Sequence, residues 1–156
     1  MKLGVRKGLA LAGVVVGASA LAFAGAAPAS AKSTTSSAAI PGGTMKAYAY
    51  IQDYANSNNC GSFNTNASST KVVSAITNTV QWDPIGIGGS ASIQGVGVSV
   101  SGNGGGSPTA SITGNNTTSA GIQGTACMSW STIYLGVYST AGSRINNTYY
   151  SVTAHL

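Results

Sequence analysis

From Met45 to its C-terminus the chain is a succession of short runs rich in Val, Ile, Thr, Tyr and Ser, separated by clusters of Gly and Asn. Runs of that length and composition, punctuated by turn formers, specify an all-β domain. Met45 to Gln52 alternates, with Met45, Ala47, Ala49 and Ile51 on one face and Lys46, Tyr48, Tyr50 and Gln52 on the other. That is a strand pattern, although the Met45, Tyr48, Ile51, Gln52, Ala55 spacing also fits a helix over 45–55. Asn56 to Thr70 reads as a polar loop. Lys71 to Trp82 carries Val72, Ile76, Val80 and Trp82 at even spacing, interrupted by Ser74 and Asn78. It too is read as a strand, with a helix as its rival. Pro84 biases Asp83 toward an extended conformation and is expected to end that element.

Further on, Ser90 to Ser101 and Pro108 to Thr113 flank a glycine-rich stretch, Gly102 to Ser107. This predicts a hairpin, with a bulge near Gln94-Gly95, where the apolar parity changes between Ile93 and Val96. Ala120 to Tyr138 holds two strands, with a bulge or bend near Ser131-Thr132. Ala141-Gly142-Ser143 reads as a turn, and Thr148, Tyr150, Val152 and Ala154 alternate with polar residues in a last strand. The expected architecture is a small antiparallel β-sandwich or barrel of six to seven strands. Trp82, Trp130 and Leu135 are its expected core.

The first 31 residues have the layout of an export signal. Lys2, Arg6 and Lys7 precede an apolar stretch from Leu9 to Gly25, and Ala29-Ser30-Ala31 is a small-residue cleavage site, so cleavage is expected after Ala31. The rival, an uncleaved membrane anchor over Gly8 to Ala29, is disfavoured by Gly13, Gly17, Ser19, Gly25 and Pro28 within it. The Ala/Gly/Val-rich stretch is similar to bacterial signals of high-GC Gram-positive type. The expected organisation is a signal peptide over 1–31, a flexible leader over 32–44 and a single β-rich domain over 45–156, secreted to the extracellular side. The leader is small, polar and broken by Pro41-Gly42-Gly43. It reads as a spacer, or as an arm that orders on a partner by adding a strand to a sheet edge.

Cys60 and Cys127 are the only two cysteines. In an oxidising compartment they are expected to form one disulfide, worth about 4 kcal/mol by loop-closure entropy.

Chargeable groups are scarce. The formal net charge is +5, but three of the seven basic residues lie in the signal. From Lys32 onward there are Lys32, Lys46, Lys71 and Arg144 against Asp53 and Asp83, with His155 as the only histidine. Acid–base and metal chemistry need positioned pairs of such groups, so no catalytic residue, metal site or cofactor is expected. No G-x-S-x-G elbow accompanies Asp53, Asp83 and His155, and the glycine run lacks the Lys-Ser/Thr of a phosphate loop. No basic stripe suggests nucleic acid. Membrane insertion through an amphipathic Ser90–Thr113 hairpin is not expected, because Pro108 to Thr113 is too short for a spanning strand.

What remains is binding. Tyr48, Tyr50 and Tyr54 are the candidate binding residues, offering apolar area with a hydrogen-bonding tip; their structural reading is as cross-strand pairs that stabilise a sheet. The expectation is a secreted, non-enzymatic protein that recognises a protein partner or a cell-envelope glycan. The sequence leaves its oligomeric state open. An antibacterial or pore-forming toxin, or a subunit of a secreted toxin complex, is one alternative. A protease inhibitor presenting the Asn56–Thr70 loop is another.

Overall fold

The computed structural model describes residues 31–52, 59–87, 89–95, 97–101 and 107–156. They form eight strands and no helix, which settles both strand-or-helix alternatives in favour of strands within the described residues. The strands are β1 (Ala31–Ile40), β2 (Gly43–Gln52), β3 (Cys60–Ile85), β4 (Ala91–Gln94), β5 (Val100–Ser101), β6 (Thr109–Met128), β7 (Tyr134–Ile145) and β8 (Thr148–His155). All pairings are antiparallel. The sheet does not close into a barrel, since β1 pairs only with β2, and β8 only with β7.

One long ribbon, β3 paired with β6, organises the molecule. Its register breaks between Ser68↔Ser119 and Val73↔Thr117, so β3 carries residues 69–72 where β6 carries only Thr118. The surplus folds the ribbon over, as bulges do, and Asn116 takes a positive φ of 49° there. A Cβ on Gly114 would run into the Thr117 methyl group, so the bend needs a glycine at that position. The inward parity of β3 switches across the fold. Phe63, Thr65 and Ala67 are buried before the bend and Val73 just after it on the same parity, whereas Ile76, Asn78, Val80 and Trp82 are buried on the other, so the switch falls between Val73 and Ile76 and Val72 is left exposed.

The folded ribbon gives two layers. The first half of β3 pairs with β2, which pairs with β1. The second half pairs with β7, which pairs with β8. β1 and β2 then pack face to face on β8 and β7 without pairing to them. Met45, Ala47, Ala49 and Ile51 are buried as the alternation of β2 requires, and they meet Leu135, Val137, Ala141 and Ala154 in one core. Phe63 and Trp82 meet edge to face, with ring centroids 4.9 Å apart.

A chain of hydrogen bonds crosses this core. Ser139 Oγ donates to Asn78 Oδ1 (3.1 Å), Asn78 Nδ2 to Thr65 Oγ1 (3.0 Å), and Thr65 Oγ1 to the Ile122 carbonyl (3.2 Å). Ser139, Asn78 and Thr65 are fully buried. Burial of such groups is tolerated because each finds a partner.

The disulfide forms as expected. Cys60 and Cys127 are a registered pair of β3 and β6 at the end of the ribbon away from the fold, and close a separation of 67 residues.

Several expectations are corrected. Residues 32–44 are not a loose leader but β1, the Pro41-Gly42 turn and the start of β2, because every residue from Ala31 to Ile40 has a partner on β2. The described part of the Asn56–Thr70 loop is β3 from Cys60 onward, with Gly61, Phe63, Thr65 and Ala67 turned inward. Pro84 does not end the strand. It pairs with Leu135 on β7, beyond the last β6 pair at Gln81↔Thr109, on a side where no N–H is required. The Ser90–Thr113 hairpin survives only as β5 against Thr109–Ala110, while β4 pairs with the opposite end of β6. Gly95 and Gly97, with φ of 72° and 67°, break the strand where a bulge was expected. Ala141 to Ser143 lie inside β7, and the turn falls instead at Asn146-Asn147, both with positive φ, as a two-residue primed hairpin demands. Trp130 is not a core residue.

Candidate functional site

The fold separates two ends. The ribbon bend, the Pro41-Gly42 turn and the Asn146-Asn147 turn lie at one, with Lys46, Lys71 and Arg144 on that half of their strands. The disulfide, the start of β1 and the loops after β3 and β6 lie at the other. There large apolar side chains point outward, Trp130, expected in the core, among them. Ile85 is 52%, Ile87 97%, Trp130 99%, Ile133 83% and Tyr134 38% exposed.

These side chains sit on two loops fastened to each other. The Ile133 amide donates to the Ile85 carbonyl (2.8 Å), and the Ser129 amide to the Ser90 carbonyl (3.0 Å). The Ser90 amide is shared by Ser129 Oγ (3.1 Å) and Thr132 Oγ1 (3.0 Å), while Thr132 Oγ1 donates back to the Ser90 carbonyl (3.0 Å). Gly86, with φ of 153°, lies so close to the Ser131 carbonyl that a Cβ there would collide with it. The polar groups of both loops thus turn inward to one another and hold the apolar side chains outward, on a fixed ledge. Lys32 Nζ lies 5.7 Å from the centre of the Tyr134 ring, at the edge of the ledge.

The tyrosines singled out from the sequence lie elsewhere. Tyr48 and Tyr50 are half-buried on the outer face of the first layer. Two rows cross that face in register: Ser33, Tyr50, Asn64 and Gln123, and Thr35, Tyr48, Asn66 and Gly121. Beside the first row is a depression of about 330 Å³ lined by Asn64, Gly95, Gly97, Gly121, Ile122 and Gln123. Tyr54, like Asp53 and Ala29, lies outside the described residues, and Ala31 begins β1. Of the terminal pair, Tyr149 is exposed and Tyr150 packs against the core.

The remaining polar candidates are held apart in separate contacts. Asp83 Oδ1 accepts a hydrogen bond from Ser107 Oγ (2.9 Å), and the His155 ring stacks on Tyr138 at 4.0 Å. Among the described residues no three His, Cys, Asp or Glu side chains come together as metal ligands. No helix there is long and apolar enough to cross a membrane.

The bend expected near Ser131-Thr132 is the turn between β6 and β7, and the ledge was missed because Trp130 and Ile133 on either side of it were counted with the inward residues of the flanking strands. The available signal was local: Trp130-Ser131-Thr132 and Gly86-Ile87 are both turn sequences with a large apolar residue in them. No protein-family model and no curated protein matches this chain. Among solved structures it is similar to the GAE domain of GGA2p from Saccharomyces cerevisiae, with a TM-score of 0.40 and 15% identity over 79% of this chain and 96% of that one.

Proposed function

We propose that this is a secreted, non-enzymatic binding protein that engages a protein partner through the apolar ledge. The observation that carries the reading is the near-complete exposure of Trp130, Ile87 and Ile133 on two loops bonded to each other. A cluster of large apolar side chains is costly to leave in water and marks an interaction surface. Tryptophan is the side chain most enriched among residues that dominate binding energy. Because the loops are already fixed, docking on them loses little conformational entropy. The scarcity of positioned acids and bases favours binding over catalysis. The inhibitor alternative has less support, since Cys60 to Thr70 of the Asn56–Thr70 segment are strand rather than loop.

The test is capture from the producing organism's culture fluid and envelope fractions with immobilised wild-type protein and with an Ile87→Ser/Trp130→Ala variant. A protein held by the wild type and lost with the variant is the expected result. Equal capture by both, or leakage of dye-loaded vesicles that depends on Trp130, would overturn the reading and favour the toxin alternative.

A further inference from the structure

We infer that the outer face of the first layer, around Tyr50, Asn64 and Gln123, is a binding site for an uncharged oligosaccharide, separate from the ledge. Asn64 on β3 and Gln123 on β6 are register partners and line the depression, and Tyr50 on β2 continues their row beside it. Adjacent strands are about 4.8 Å apart, so the row spans about 10 Å, a length suited to a short run of sugar rings.

The chemistry along the row is that of a neutral polyol. A sugar presents C–H faces to pack on an aromatic ring and hydroxyls that each donate and accept. The half-buried Tyr50 supplies an aromatic ring with a hydrogen-bonding tip. The amides of Asn64 and Gln123 each offer a donor and an acceptor in one plane. In the next row Tyr48 lies beside Asn66, whose amide nitrogen donates to the Ala67 (3.3 Å) and Ala120 (3.0 Å) carbonyls and is held there.

Glycine shapes the depression. Gly121 faces Asn66, and a Cβ there would sit 3.2 Å from the Thr65 carbonyl and 3.3 Å from the Asn66 amide, so a side chain at this position would crowd the floor. Gly95 and Gly97, both in the left-handed region, line one side. At about 330 Å³ the space is within the range of small-molecule sites. Among the described residues no Asp, Glu, Lys, Arg or His lines it. The groups that do line it are amides, backbone and Ile122, the chemistry that suits an uncharged glycan over a charged polymer.

The test is calorimetric titration of the disulfide-bonded protein with short neutral oligomers of glucose, mannose and N-acetylglucosamine. At least one series should bind, with little change on raising salt to about 0.5 M, where ion-pair contacts would be screened. Tyr50→Ala should weaken binding at least tenfold and Asn64→Ala several-fold, while Tyr50→Phe should stay within about threefold of wild type because it keeps the ring. Both alanine variants should keep the wild-type circular dichroism spectrum, which separates lost contacts from lost fold. Trp130→Ala should bind sugar normally, so failure here and failure at the ledge are distinguishable. The inference is overturned if no series gives saturable heat, if folded Tyr50→Ala binds like the wild type, or if light scattering shows a dimer that Tyr50→Ala dissociates, making a second copy the occupant.

Discussion

Removing the amide of Asn78 probes the joint between the two layers. In Asn78→Ala, Ser139 Oγ loses the acceptor it holds at 3.1 Å, and Thr65 Oγ1 loses the donor it holds at 3.0 Å. All three residues are fully buried, so water cannot replace the amide without opening the core. Stranding a buried hydroxyl costs about 1–3 kcal/mol, and the void left by the amide adds about 1 kcal/mol. The expected loss is therefore about 3 kcal/mol, a large part of the roughly 5–15 kcal/mol that holds a typical domain. Ser139→Ala leaves Asn78 Oδ1 unsatisfied and should cost about 1–2 kcal/mol. In the double variant neither the Ser139 hydroxyl nor Asn78 Oδ1 remains to be stranded, so its loss should fall about 2 kcal/mol short of the sum of the single losses. Urea denaturation gives all four stabilities, provided the slope with denaturant is unchanged. Strict additivity, or a loss below about 1 kcal/mol for Asn78→Ala, would refute the hydrogen-bonded chain across the core.

Other outcomes follow from the same structure. Replacing both cysteines with serine should cost about 4 kcal/mol, because the bond closes a 67-residue separation; a shift in the denaturation midpoint worth less than about 1 kcal/mol would contradict this. The two tryptophans should separate in fluorescence, since Trp82 is fully buried and Trp130 is 99% exposed. Trp130→Phe should leave blue-shifted emission that acrylamide barely quenches, and Trp82→Phe red-shifted emission that it quenches readily; the reverse would refute both the core and the ledge. At the β7–β8 turn Asn147 has φ of 63°, so Asn147→Ala should cost about 1–2 kcal/mol in thermal or urea unfolding and Asn147→Gly close to nothing.

What could be read in the sequence was what alternation and chemistry report directly. The inward row of β2 from Met45 to Ile51, the inward Tyr150, Val152 and Ala154 of β8 and the Cys60–Cys127 bond are all as expected. The elements that were missed owe their structure to pairing rather than to hydrophobic content. β1 is made of Ala, Ser, Thr and Lys up to Ile40, its only buried residue, and is a strand because β2 pairs along its whole length. The first half of β3 looks like a loop because Asn and Ser alternate outward while Phe63 is the one large apolar residue among inward Gly61, Thr65 and Ala67, and Thr65 is buried only because Asn78 and Ile122 satisfy it. The parity switch in β3 falls between Val73 and Ile76, just past the bend where the register with β6 breaks, and no local pattern announces it. Tyr48 and Tyr50 were identified from the sequence, but the partners that make a site of them, Asn64 and Gln123, come from strands joined only by the register of the ribbon.

The most direct test of the ledge as a binding surface is a photo-crosslinking residue placed at position 130, with a second placed at the exposed Ser151 on β8 as a control. Irradiation in culture fluid and envelope fractions of the producing organism should give a discrete protein adduct from position 130 and none from position 151. Equal adducts at both positions, or none at position 130, would contradict the proposal that this protein acts by binding a partner through Trp130 and its neighbours.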